Sequence, residues 1–525
     1  RTAQAGHRTV TDLVYLVELT VYDPAISGTR VLRYCSGRGF ATRPSETPAN
    51  TYYEPNVLQP INFERAAFSK ARVMGQGSAG FGVIELANAD DALSGLLDYG
   101  FDGRSAVVRV GLEGAAYPSG YTTFLSGTMA GVEADATSIK ISLRDLTEIL
   151  DNPIQETLYA GTNSLPSGKE GTADDIKGQV KPLCYGRCYE VAPIQVNTAK
   201  LIYQVHDGAI QAVDGVYDNG FALSVGTNRA NLAAMEATAP SAGYYDTCLA
   251  EGLIRINEAP EGRITADVRG DATGSYVNTV GSIVKRILTS KCGVSSGDID
   301  DTSFTALDSV AGYDCGVYIS QDRGRQDVLN ELLLSVGAWL APSRLGVWQV
   351  GRLVAPSGTP AASFTDDDII SITREATQDE DRGVPVYRVA LRYKRLWSTY
   401  TEQDILGGVD AARKAFLLSE YRTSTAEDTS VRTKHLLSPK LERDTLLISS
   451  TDADAEAARL LALHKVRRDY VTVTVAIDET LVALDIGSIV QVTTSMFDYD
   501  SGRLFYVVGI ETDGRAKNLT LQLWG

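Results

Sequence analysis

Short runs in which apolar and polar side chains alternate recur along most of this chain. They constrain its fold more than any other feature. Residues 13–22 (LVYLVELTVY), 82–86, 106–110 and 138–143 carry the period-two pattern of a half-buried strand, separated by Gly, Asn, Asp and Pro. The pattern returns at 387–393, 471–477, 489–493, 505–510 and 519–523. Helical periodicity is rarer. Val280, Ile283, Val284, Ile287 and Leu288 share one helical face, as do Val328, Leu329, Leu332, Leu333 and Val336. A third helix is expected over about 453–466, with Thr451 or Asp452 as its cap and Glu456 in its first turn.

The chain is therefore expected to be mainly β with a small α+β insertion, as several β-barrel or sandwich-like domains in tandem. Its 525 residues exceed what one core usually holds. The predicted units are residues 1–165, an N-terminal β-rich domain, and 175–275, a second β domain. Residues 276–375 follow as a helix-helix-hairpin unit, and 376–525 as a C-terminal β-rich domain with the helix near 453–466. Residues 406–430, mixed in charge, read as a long surface excursion.

Apolar residues make up 44% and charged residues 22%, which excludes global disorder. No apolar stretch is long enough to span a bilayer, and the N-terminus lacks the apolar core of a signal peptide, so a chain made and folded in a cytoplasm is expected. The formal charge is −17, from 49 basic and 66 acidic residues, which argues against a protein that grips nucleic-acid phosphates. Six cysteines in so long a chain do not form a disulfide framework. Only Cys184 and Cys188 lie close together, and without a second pair they read as small buried residues rather than metal or cluster ligands.

Motifs with catalytic associations all have simpler readings. Gly75, Gly77 and Gly80 satisfy G-x-G-x-x-G, but a strand rather than a helix follows, so the run reads as a loop feeding residues 81–86. Gly293, Ser295 and Gly297 match G-x-S-x-G, yet a helix precedes them, so Gly293 reads as a helix stop and Asp298, Asp300 and Asp301 as loop residues. None of the four histidines has metal-ligand spacing. His206 is expected to hydrogen-bond turn backbone; a catalytic pairing with Asp207 or Asp218 is the alternative. Asp366, Asp367 and Asp368 fit a local turn, and their alternative is acid–base or calcium chemistry. No catalytic residue, cofactor site or metal site is assigned, and the chain is expected not to be an enzyme.

Residues 181–226 (KPLCYGRCYEVAPIQVNTAKLIYQVHDGAIQAVDGVYDNGFALSVG) resemble a block of the baseplate hub, or tail-tip, proteins of long, non-contractile-tailed bacteriophages. Lys181-Pro182-Leu183 with Tyr185-Gly186, residues 203–208 (YQVHDG) and Val216-Tyr217-Asp218 carry the resemblance. Residues 96–104, 328–353, 485–490, 502–510 and 521–525 are similar, in order, to other parts of the same proteins.

The resemblance implies a virion protein assembled in the host cytoplasm. It implies a homotrimer with two similar β-barrel-like domains per subunit, so that three chains offer six near-equivalent surfaces to a hexameric tube ring. Implied partners are the distal tail and tail-tube ring proteins, the tape-measure protein, and tail fibre or central tip proteins. DNA would pass through without specific binding. Because the sequence stops at 525 residues, a separate fibre or tip protein is expected to engage the receptor. Two other functional classes remain as alternatives. One is a tail-associated cell-wall hydrolase using aspartates near 298–301 and 366–368. The other is a carbohydrate (receptor)-binding module using some of the 25 tyrosines.

Overall fold

The structure, a computed structural model, describes residues 13–68, 75–376 and 384–525. It is mainly β, with several sheets and a small helical component. The first sheet has seven antiparallel strands in the order Gly28–Cys35, Leu13–Asp23, Ser105–Leu112, Tyr121–Ala134, Ser138–Leu143, Val83–Ala87, Val57–Gln59. Alternation decides its inner face: Leu13, Tyr15, Val17, Leu19 and Val21 all enter one core with Ile139, Ile141 and Leu143.

That core does not end with the first sheet. It continues without a break into Phe364, Val471, Val473, Val475, Val490, Phe505, Leu521 and Leu523 of a C-terminal eight-stranded sheet. The two β units from opposite ends of the sequence are thus joined face to face. Strand exchange ties them further, because Asn62–Ala66 pairs antiparallel with Arg503–Asp513 on one side and Ser78–Phe81 on the other. The units that share a core are therefore the N-terminal and C-terminal ones, with the 175–275 region elsewhere.

That middle region forms two five-stranded sheets. One has the order Phe221–Ala222, Ile210–Asp218, Ile264–Asp271, Leu183–Val191, Gly316–Ile319. The other runs Ile194–Asn197, Ile202–Gln204, Leu253–Ile256, Tyr244–Cys248, Ser224–Asn228. Strand Gly316–Ile319 comes from the following segment, so the sheet crosses the expected 275/276 boundary. The 375/376 boundary likewise falls inside strand Ile369–Ala376, which pairs with Asp469–Ala476 of the C-terminal sheet.

The helical insertion contains Val280–Ser290, Asp301–Ala311 and Arg325–Leu334, followed by the hairpin Ala338–Pro342 and Trp348–Arg352. The first helix buries the five expected residues and starts on a Thr279/Ser282 capping box. The second helix corrects the loop reading of Asp300 and Asp301. Asp300 caps it by accepting from Thr302 and Ser303 amides, and Phe304, Leu307 and Ala311 are buried.

Two more expectations are corrected. The last long helix is Ser450–His464, starting earlier than expected because Ser449 caps it, and Glu456 is fully buried against Arg352 and Arg459. The excursion at 406–430 is only partly surface. It contains helix Ala411–Leu417, capped by Asp410, and strand Arg422–Glu427, which pairs with Arg388–Tyr393. Lys440–Asp444 completes that small sheet in parallel, and helix Ser450–His464 packs on it through Ala457, Leu460 and Leu461.

Candidate assembly surface

Several of the motif residues make structural contacts. The Gly77 amide donates to the Leu340 carbonyl at 2.9 Å, and a Cβ there would lie 2.4 Å from the Ala66 oxygen. A Cβ on Gly82 would lie 1.7 Å from the Asn62 oxygen. These glycines let strands cross closely, where a side chain would not fit. Gly293 takes φ +70° just beyond its helix, and the Ser295 hydroxyl accepts from the Gly297 amide at 3.3 Å.

His206 is buried. Its Nδ1 accepts from the Cys184 amide at 3.0 Å, and its Nε2 lies 3.6 Å from Asp271 Oδ1. Neither candidate partner is used that way: Asp207 accepts from Gln155, and Asp218 accepts from the Glu261 and Gly262 amides. Burial pushes the Asp271 carboxyl up, but hydrogen bonds from His206 and Thr273 and the charge of Arg286 hold it below its ordinary range. The ring thus fastens strand Leu183–Val191 to Ile264–Asp271.

Asp368 accepts from the Thr365 amide and hydroxyl at 2.9 Å, as in a turn, whereas Asp366 accepts from the distant Ser495 amide at 3.3 Å and ties that turn to the C-terminal region. All six cysteines are free thiols, and Cys184, Cys188 and Cys315 are buried. Among the described residues, no three His, Cys, Asp or Glu side chains come together to hold a metal ion.

One buried ionic cluster escaped sequence reasoning. Glu190 is fully buried, and Arg413, reaching in from helix Ala411–Leu417, pairs with its Oε1. Thr265 donates to Glu190 Oε2 at 2.7 Å, while Asp267 accepts from the Glu190 amide at 2.9 Å and from Tyr217 at 3.1 Å. The Arg413 guanidinium also lies 3.8 Å from the centre of the Tyr217 ring. Burial and the neighbouring Asp267 carboxylate push Glu190 up to about 7, and burial raises Asp267 as well. With these acceptors engaged inside the protein, the pair serves as a clamp between the middle sheet and the 394–421 connection.

The surface beside this clamp is different in kind. A groove of about 520 Å³ is floored by Phe221, Leu223, Tyr244, Ile256 and Leu406, and rimmed by Asp218, Glu258 and Glu261. Phe221 and Tyr244 remain 48% and 43% exposed, side by side in this groove. Alongside it, edge strand Ser224–Asn228 is exposed throughout. An apolar floor, an acidic rim and a strand edge thus lie side by side on this surface.

No family model and no curated protein matches this chain. The solved structures similar to it include the following three. A tail protein from Neisseria meningitidis MC58 matches at 11% identity and TM-score 0.37, over 97% of this chain and 96% of that one. The prophage MuSo2 43 kDa tail protein from Shewanella oneidensis matches at 11% and 0.39, over 90% and 94%. A chain of a native gene transfer agent virion particle matches at 15% and 0.44, over 72% and 92%.

Proposed function

We propose that this protein is a structural component of a bacteriophage tail: a homotrimeric hub that closes the distal end of the tail tube and forms the channel through which DNA leaves. The observation that carries the reading is the single core shared by the seven-stranded and eight-stranded β units. The reading asks for two rigidly related β surfaces per chain, and a core shared by two β units supports it. The order of the tail-protein-like blocks along the sequence supports the same reading. Closed cyclic symmetry also needs complementary edges, which a chain of many sheets provides.

On this reading the acidic surplus of 66 over 49 faces the channel. A basic wall would bind phosphates and stall the genome, whereas an acidic one lets it slide. Tube-ring proteins, the tape-measure protein and fibre or tip proteins are the proposed neighbours, and no catalytic role is proposed.

Native mass measurement of the purified chain tests the assembly, with a trimer expected. A map of intact tails should place it at the tip with a lumen poor in Lys and Arg. A stable monomer in tails, a basic lumen or a position on outer fibres refutes the proposal. So does release of fragments from purified peptidoglycan by this chain alone, abolished by Asp→Asn changes at 298–301 and 366–368.

A further inference from the structure

Leu436 and Leu437 are the most exposed large apolar residues described, at 82% and 87%. They are the central residues of a turn closed by the Ser438 amide donating to the His435 carbonyl at 3.0 Å. Turn chemistry favours Gly, Asn, Asp, Pro or Ser at such positions, so two leucines there have no local purpose. The turn is firmly held. Ser438 Oγ donates to the Pro385 carbonyl at 2.6 Å, Val431 is buried beneath, and the Arg432 guanidinium lies 4.9 Å from the Tyr387 ring centre. Flanking the leucines in sequence, Arg432, Lys434 and Lys440 are exposed, and no acid lies between Asp428 and Glu442. The turn is an apolar knob with a basic collar.

The groove of Phe221, Tyr244 and Leu406 has the opposite character: a concave apolar floor with Asp218, Glu258 and Glu261 on its rim. Topology separates the two. In the small sheet, Arg388 pairs with Glu427 and Lys440, so the 428–439 connection bearing the knob lies at that end. Tyr393 pairs with Arg422, so the 394–421 connection bearing Leu406 leaves from the other end. Strand Arg388–Tyr393 sets the ends about 17 Å apart at the usual strand rise. Complementary surfaces at opposite ends of one element cannot satisfy each other within a chain. They suit a head-to-tail contact, which generates a ring when the rotation closes.

We propose that successive copies of this chain associate by inserting the Leu436/Leu437 turn of one into the Phe221/Tyr244/Leu406 groove of the next. The proposal rests on the trimeric reading above and identifies the surfaces that make the ring. Charge complementarity selects the occupant: the basic collar meets the acidic rim, and both halves belong to the same sequence.

The test uses the full chain with Leu437→Cys and Tyr244→Cys combined, oxidised after assembly, each single variant serving as control. Disulfide-linked species ending at the trimer are expected only in the double variant. Leu436→Ser with Leu437→Ser should raise the concentration needed for assembly at least tenfold while leaving the melting of the monomer unchanged, since both positions are exposed. Glu258→Lys with Glu261→Lys should weaken assembly similarly, and Arg432→Glu with Lys434→Glu should restore it. A normal trimer in the leucine double variant, with no cross-link between positions 244 and 437, overturns this contact and leaves the hub reading standing. Cross-linked ladders that do not stop at three keep the contact and overturn the trimer.

Discussion

Arg65 offers the sharpest test of how the two terminal β units are joined. It sits in the exchanged strand Asn62–Ala66, its side chain wholly inaccessible to solvent, and pairs with Asp485 of the C-terminal region. It also donates to the Ala341 carbonyl at 3.2 Å and to Gln349 Oε1 at 3.0 Å, both in the hairpin of the helical insertion. Arg65→Ala removes three acceptors' donor, at about 1 kcal/mol each, and leaves a cavity worth about 2 kcal/mol more. Burial disfavours the charged guanidinium and Asp485 is 30% exposed, so part of this is returned and the net loss is about 3 kcal/mol. A cooperative unit of roughly 250–300 residues gains about 0.5–0.6 kcal/mol/K of unfolding entropy, so the midpoint should fall by about 5–6 °C. Scanning calorimetry measures it directly. Arg65→Met, which keeps the stem volume, should lose less. A wild-type profile in which the two β units melt separately, or an Arg65→Ala loss under about 1 kcal/mol, would refute the reasoning.

The Glu190 clamp should respond to pH. Its folded pKa of about 7 lies above the ordinary value, so its stabilisation is complete below about pH 4.5 and disappears as pH rises through about 7, amounting to up to about 3 kcal/mol. His464, whose burial lowers it to about 3, works in the opposite sense below pH 6.5. The difference between wild type and Glu190→Gln isolates the carboxylate: urea midpoints from pH 5 to 8 should fall more steeply in wild type, and equal slopes would sink the assignment. Gly186→Ala should be far more severe. Gly186 has φ +66°, and an added Cβ would lie 1.9 Å from the Cys315 carbonyl oxygen, so a loss above about 4 kcal/mol is expected. Near-normal soluble yield and midpoint would contradict it.

The strands of the first and last sheets were legible because alternation in Leu13–Asp23 or Ser138–Leu143 follows directly from one buried face. The exchanged strand was not. Asn62–Ala66 reads NFERA, and its Arg65 is buried by partners supplied from beyond residue 340, which no local window contains. Strand Arg422–Glu427 (RTSTAE) is polar because it packs under helix Ser450–His464 through little more than Ser424 and Ala426, so it resembled a loop. The Asp-rich start of Asp301–Ala311 looked like turn material because its caps are aspartates. The groove could not be read at all, since its walls come from four separated segments between 218 and 408. The Glu190–Arg413 clamp likewise joins residues 223 positions apart. Tyr185-Gly186, singled out only by resemblance, gains a physical reason: the glycine lets strand Leu183–Val191 approach Gly316–Ile319.

The exchanged strand also fixes a timetable for synthesis. Asn62–Ala66 and the strand Arg503–Asp513 that it pairs with are separated by roughly 440 residues. At about 5–20 residues per second, a ribosome needs roughly 20–90 s to bridge that interval. Throughout it, the edge of Asn62–Ala66 and the apolar face of the seven-stranded sheet await partners that have not yet been made. Contacts this distant in sequence also slow the final docking. A growing chain of this kind is open to pairing with other nascent chains on the same message, and its yield in a cell will depend on chaperones that shield those surfaces until the last strands emerge.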